Sequence, residues 1–139
     1  MATRNEIIAE VRRRVSAIIP GPGGDRTDRT EGAALSRLPV FAVRGVLLSA
    51  ERAAMGSNEW RMVDRIEVAV LVSQGEALGN AAEALAARVR DAVLADPPDL
   101  GGLLWDLRLA GMAADIEAGE VRVARAEIGF DAEHFGRLA

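Results

Sequence analysis

The sequence predicts a small α+β domain in which two helices pack on one face of a mainly antiparallel four-stranded sheet. Two segments have the apolar spacing of three or four residues that is typical of a helix, and four have the alternation of a strand. Their order is α-β-β-α-β-β. A chain of 139 residues is long enough to bury one core, so we expect a single domain over residues 1–139.

The first helix is predicted to begin at Thr3 and to end before Pro20, which cannot continue it. Thr3 and Glu6 have the spacing of a capping box, in which both side chains bind free backbone N–H groups. The arginines at 12–14 are expected to form a solvated face. The apolar stripe on the other side consists of Ile7, Ile8, Val11, Val15, Ile18 and Ile19.

Residues 21–37 are polar, rich in glycine and without periodicity, which predicts a flexible loop. Gly21–Asp25 resembles a phosphate loop only superficially, because a nucleotide P-loop needs a lysine after its last glycine and this chain has none. Asp25 and Asp28 lie among arginines, without a shielded pocket that would suit acid–base catalysis.

The first strand is predicted at Leu38–Leu48, with apolar residues on both faces. This pattern is typical of a central strand, or of one whose outer face meets another subunit. Residues 49–58 are predicted to form a flexible loop with a turn at its glycine.

The second strand is predicted at Glu59–Ser73, and alternation places Arg61, Arg65 and Glu67 opposite its apolar face. It exceeds the usual five or six residues. We therefore expect its first end to project beyond the core, where Trp60 is either an anchor for a partner or a packed strand end.

The second helix is predicted at Asn80–Ala95 and stops before Pro97, because the residue preceding a proline avoids helical geometry. Two alternating strands follow at 103–116 and 120–130. Their short connection predicts an antiparallel hairpin. Residues 131–139 are predicted to form a polar C-terminal tail.

Candidate chemistry is sparse. There is no cysteine, and the formal net charge of −4 argues against a dedicated nucleic-acid binder. His134 is the only histidine and makes a poor metal ligand set on its own. Asp115, Glu117 and Glu120 cluster at a predicted turn, where a solvated hairpin tip is favoured over a cation site. We expect no catalytic residue, no cofactor, no metal and no membrane span, so an enzyme is the least favoured class.

Three segments carry a family resemblance. They are the helix end 87–97, the stretch 100–103, and the strand 106–111, in which Asp-Leu-Arg-Leu-Ala-Gly follows the glycine pair. Together they resemble the tail terminator proteins of long-tailed bacteriophages and phage-like particles. The last strand, 123–130, is similar to the strand that closes that fold, and the first helix and the strand beginning at 39 occur in the family's order.

The resemblance implies a ring subunit, expected to be a hexamer, that caps the tail tube, stops its polymerisation and presents a surface for the head. Expected partners are therefore other copies of the chain, the tail tube protein and the head–tail connector. DNA would pass through the lumen without specific binding. The expected location is the head-proximal end of the virion tail, with assembly in the host cytoplasm.

Under this resemblance, the outer strand face and its projecting end would meet neighbouring subunits or the tube, through Trp60, Arg61, Arg65 and Glu67. The loops would face the lumen or connector, with Arg26, Arg29, Arg37 and Arg52. Two other interpretations remain open: a head completion or head–tail adaptor subunit, and, from another class, a small ligand-binding or regulatory module.

Overall fold

The computed structural model describes residues 3–19, 24–25, 27, 39–56, 58–72, 78–95, 100–117 and 123–136. Its six elements have the predicted α-β-β-α-β-β order, which confirms the α+β class. The helices are α1 (Arg4–Ser16) and α2 (Leu78–Val93), and the strands are β1 (Val40–Arg52), β2 (Trp60–Val72), β3 (Asp106–Glu117) and β4 (Val123–Gly136).

The four strands form one antiparallel sheet in the order β1-β2-β4-β3. The central strands β2 and β4 pair along their whole length, from Trp60 opposite Gly136 to Val72 opposite Ala124. The predicted hairpin of the last two strands is confirmed. β1 and β3 are the sheet edges, and each carries one irregularity in register, β1 next to Leu48 and β3 next to Ala110.

Both helices cover the same face of the sheet. In β2 the side chains alternate between buried and half-buried along the strand, so one face is packed and the other is open. Gly45 allows α1 to approach β1, because a Cβ there would lie 3.0 Å from the Arg4 side chain and 3.1 Å from that of Ile8. The core is formed mainly by Ile7, Val11, Val15, Phe41, Val43, Ile66, Val68, Val70, Ala86, Val89, Val93, Ile128 and Phe130.

Two predicted boundaries are wrong in the same direction, because strands continue past them. β1 runs to Arg52, so residues 49–52 belong to a strand and not to the predicted loop 49–58. β4 runs to Gly136, so residues 131–136 are not part of a polar tail. The physical reason is that the long strand β2 has backbone groups that need partners on both sides, and these extensions supply them.

Part of the predicted flexible loop 21–37 is fastened to the edge of β1. The Phe41 N–H donates to the Gly24 carbonyl at 2.8 Å, and the Val43 N–H donates to the Thr27 hydroxyl at 3.1 Å. Asp25 is also bonded by the Arg12 guanidinium at 2.7 Å. The other residues of that loop lie outside the described part of the chain.

Candidate functional site

The face of the sheet that the helices leave open, here called the outer face, is covered by charged side chains. They pair mostly between neighbouring strands, so the strands are tied together by ionic contacts as well as by backbone bonds. The pairs in the described part of the chain include Arg44 with Glu67 at 2.6 Å, Arg65 with Asp131 at 2.6 Å, Arg61 with Glu133, Arg125 with Glu127 at 2.9 Å, and Arg108 with Asp106 at 3.4 Å.

Three of the four predicted interface residues, Arg61, Arg65 and Glu67, lie on the outer face as expected, and each is already ion-paired within the subunit. The bond to Asp131 raises the pKa of Arg65 above its ordinary value. A partner meeting these side chains would therefore find a balanced surface and not unpaired arginines.

Trp60 lies at the first end of β2, half-buried. The Arg52 guanidinium carbon stands 5.3 Å from the centroid of its ring, which is the distance of a cation–π contact. The ring is thus covered on one side by a residue of its own chain. Trp60 is thus partly packed within its own subunit, and its role as an anchor for a partner stays a prediction.

The four arginines predicted to face a lumen or connector separate into two groups. Arg26, Arg29 and Arg37 lie outside the described part of the chain. Arg52 lies at the end of β1, beside the exposed β1–β2 turn that carries Met55.

Exposed apolar side chains concentrate on the two edge strands. Of the seven large apolar side chains exposed in the described part of the chain, five lie on β1 or β3, and the other two are Met55 and Trp105. Those five are Val46, Leu47 and Leu48 on β1, and Leu109 and Met112 on β3. An edge strand with exposed apolar side chains is a ready template for pairing with another chain.

A shallow groove of about 210 Å³ crosses the outer face and is lined by Thr27, Arg44, Glu67 and Arg125 among others. Pockets that bury drug-sized ligands usually measure about 300–1,000 Å³. A second depression, of about 290 Å³, is lined by residues of α2 and β3, which are Glu83, Ala86, Met112, Ala113 and Ala114.

Under the other face lies a buried polar cluster that the sequence did not reveal. The His134 Nε2 and an Asp64 carboxylate oxygen are 2.7 Å apart, and the two side chains are 2% and 1% exposed. The Arg4 guanidinium lies 3.4 Å from the second Asp64 oxygen. Burial opposes ionisation of Asp64, but the bonds from His134 and Arg4 outweigh it and hold the pKa of Asp64 below its ordinary value.

His134 was predicted to lie in a solvated tail, and this was wrong because β4 extends to Gly136. Its position follows the alternation that begins at Phe130 and passes through Ala132, which is the signal that would have placed it inside. Asp64 and His134 are thus closed to solvent, whereas the Arg4 side chain is 41% exposed.

Arg14 was predicted to lie on a solvated face, and it is buried instead. Its guanidinium donates to the carbonyl oxygens of Val93 at 2.9 Å and Ala95 at 2.6 Å, at the end of α2. Glu10 accepts a further bond from it at 3.2 Å. A cation at this position satisfies free carbonyls and complements the negative end of the helix dipole.

The remaining findings concern metal binding and membrane insertion. Among the described residues, no group of three His, Cys, Asp or Glu side chains could hold a metal ion. Glu120 and the side chain of Glu117, from the predicted acidic turn, lie outside what the structure describes. Neither described helix is long and apolar enough to span a bilayer.

No family model matches this chain, and no curated protein matches it significantly.

Proposed function

We propose that this chain is a tail terminator: a subunit that assembles into a ring at the end of a phage-type tail tube, stops tube growth and provides the surface on which the head docks. The proposal starts from the resemblance of residues 87–97, 100–103, 106–111 and 123–130 to that family. The observed α-β-β-α-β-β order with an antiparallel closing strand agrees with what the resemblance implies.

The observation that carries the proposal is the placement of exposed apolar side chains on the two opposite edges of one sheet. A ring subunit needs two different surfaces that fit each other, because a heterologous contact repeated around an axis closes into a ring. A subunit with one apolar edge on each side has this layout.

The outer face supports the same function in another way. Most of its charges pair within the subunit, as Arg44 does with Glu67 and Arg65 with Asp131, so this face presents a largely balanced surface to a neighbour or to a tube. Binding through such surfaces depends on fit and on repetition around the ring more than on a single strong contact.

The test is a tube-growth assay with a tail tube protein from the same genome as this chain. Tube protein is allowed to polymerise alone or with purified chain, and tube lengths are measured by negative-stain electron microscopy. The proposal expects shorter tubes that carry a ring at one end. Unchanged lengths with no ring at either end contradict it.

A further inference from the structure

The two edge strands, β1 and β3, are apolar, and they also carry opposite charges at positions that can face each other. We infer that β1 of one copy pairs antiparallel with β3 of the next copy, with Val46 opposite Ala113, so that the sheet continues from subunit to subunit. This inference rests on the proposed function only for the closure of such a chain of subunits into a ring.

The strand directions allow this pairing. All neighbours in the order β1-β2-β4-β3 are antiparallel, so β1 and β3 run in opposite directions. When a second copy is placed beside the first with its sheet in the same orientation, β3 of one copy meets β1 of the other as an antiparallel neighbour.

Among the described residues, the bonds from the 24–27 segment to the β1 edge end at Val43, and none is seen from Arg44 onward. Phe41 and Val43 direct their N–H groups to the open edge, where Gly24 and Thr27 accept them. Alternation along the strand directs the N–H of Leu47 to the same edge. The Leu47 N–H, which lies next to exposed apolar side chains, is a group that an added strand would bind.

Charge fixes the register. With Val46 opposite Ala113, Arg44 lies opposite Asp115 and Glu51 lies opposite Arg108, and all four residues belong to the outer face. A shift of two residues one way places Glu51 opposite Asp106, where like charges repel.

The two strand irregularities support the same register. Residues seven apart in a regular strand lie on opposite faces, yet Arg44 and Glu51 share the outer face because β1 has an irregularity at Leu48. Asp115 and Arg108 are also seven apart and share that face because β3 has one at Ala110. If β3 is shifted by two residues in the opposite direction along β1, the irregularity at Ala110 no longer lies next to the irregularity at Leu48.

The absence of cysteine from the sequence makes a cross-linking test clean. Val46→Cys and Ala113→Cys are prepared as separate single variants, mixed at high protein concentration and oxidised. The two positions cannot be bridged within one chain, because three strand spacings, about 14 Å, separate the edges, and a disulfide requires Cα atoms within about 7 Å. The inference expects a disulfide dimer from the mixture and little from either variant alone.

The matched control replaces Ala113→Cys by Gly111→Cys, two residues along the same face. A Cβ at Gly111 meets nothing within 4 Å, so the control variant has room for its side chain. Equal yields from the two mixtures, a dimer from Val46→Cys alone, or no mixed dimer would each overturn the inferred pairing.

Charge reversal gives an independent test. Glu51→Arg is expected to weaken self-association, measured by sedimentation velocity, by about fivefold. Adding Arg108→Glu in the same chain is expected to restore it, because the pair is then rebuilt with opposite signs. If the double variant associates no more strongly than Glu51→Arg alone, the inferred register is wrong.

The outcomes separate the inference from the proposed function. A double variant with both Val46→Cys and Ala113→Cys is expected to give a ladder of covalent species that ends at one ring size. A ladder that continues into filaments would support the edge pairing and contradict the ring. If the wild-type chain forms rings in the microscope but the cysteine variants show no specific cross-link, the ring is supported and the edge pairing is contradicted.

Discussion

The Asp64 carboxylate and the His134 imidazole lie 2.7 Å apart on the face of the sheet that the helices cover, although seventy residues separate them in the chain. They lie on the two central strands β2 and β4 as diagonal neighbours, with His134 two rows and Asp64 four rows from the end of the pairing. The only histidine of the sequence is thus a structural residue that joins the last strand to the core.

We predict that Asp64→Asn destabilises the fold by about 3 kcal/mol at pH 7, because it leaves His134 and Arg4 without a buried carboxylate. A carboxyl whose pKa is lowered on folding stabilises the protein above its unfolded pKa, about 3.9, and loses that contribution as pH falls through the folded pKa. The difference between variant and wild type should therefore shrink at pH 3. Urea unfolding at both pH values measures it.

The control for this prediction is Asp91→Asn, which changes an exposed aspartate on α2. It should leave the unfolding midpoint unchanged at pH 7 and at pH 3. An Asp64→Asn effect of the same size at both pH values would contradict the assigned role of the ionised Asp64 carboxylate.

We predict that Arg14→Met destabilises the protein by about 2–3 kcal/mol, because the carbonyls of Val93 and Ala95 then lose a buried donor. Arg13→Met, one residue earlier, changes a side chain that is 70% exposed and should leave the melting temperature unchanged. If the two variants have the same melting temperature, Arg14 does not hold α2 in place.

We predict that Gly101→Ala and Gly102→Ala each destabilise the fold by about 1 kcal/mol. Their φ angles are +77° and +90°, in the left-handed region that a Cβ disfavours. Gly111→Ala is the control, because Gly111 has room for a Cβ and no positive φ. Chemical denaturation of the three variants measures the difference, and a cost for Gly111→Ala equal to the others would contradict the explanation.

We predict that Arg65→Ala weakens ring assembly but leaves the subunit folded. The change leaves Asp131 without its cation on the outer face, in the region expected to meet a neighbour or the tube. The matched variant is Arg125→Ala, which breaks a pair within β4 on the same face. Ring yield by electron microscopy and the circular dichroism spectrum are the two measurements. Normal ring formation by Arg65→Ala would remove this residue from the interface.

The sequence predicted the elements well because each has a clear apolar period, and the short connection between the last two strands dictated the antiparallel hairpin. It predicted the ends of strands poorly. The alternation at Phe130, Ala132 and His134 continues into a polar segment of β4. From the sequence alone, a buried polar side chain such as His134 looks the same as a solvated one, because its hydrogen-bond partner is not known. Asp64, which is that partner, lies on another strand.

Arg14 shows the same limit on a helix. Its place among three consecutive arginines predicts a solvated face, and only the packing of α1 against α2 brings the carbonyl of Val93 within its reach. The exposed edges were also not visible in the sequence. The apolar run at Val46–Leu48 becomes an edge only through the strand order, which places β1 outside β2.

The most direct test of the central claim is to delete the gene and measure tail lengths in the resulting particles by negative-stain electron microscopy. The account predicts overlong tubes of variable length, because polymerisation has lost its stop, and recovery of one fixed length when the wild-type chain is supplied. Tails of normal length that lie apart from full heads would instead identify a head–tail joining subunit. Normal infectious particles would contradict a structural role in the tail altogether.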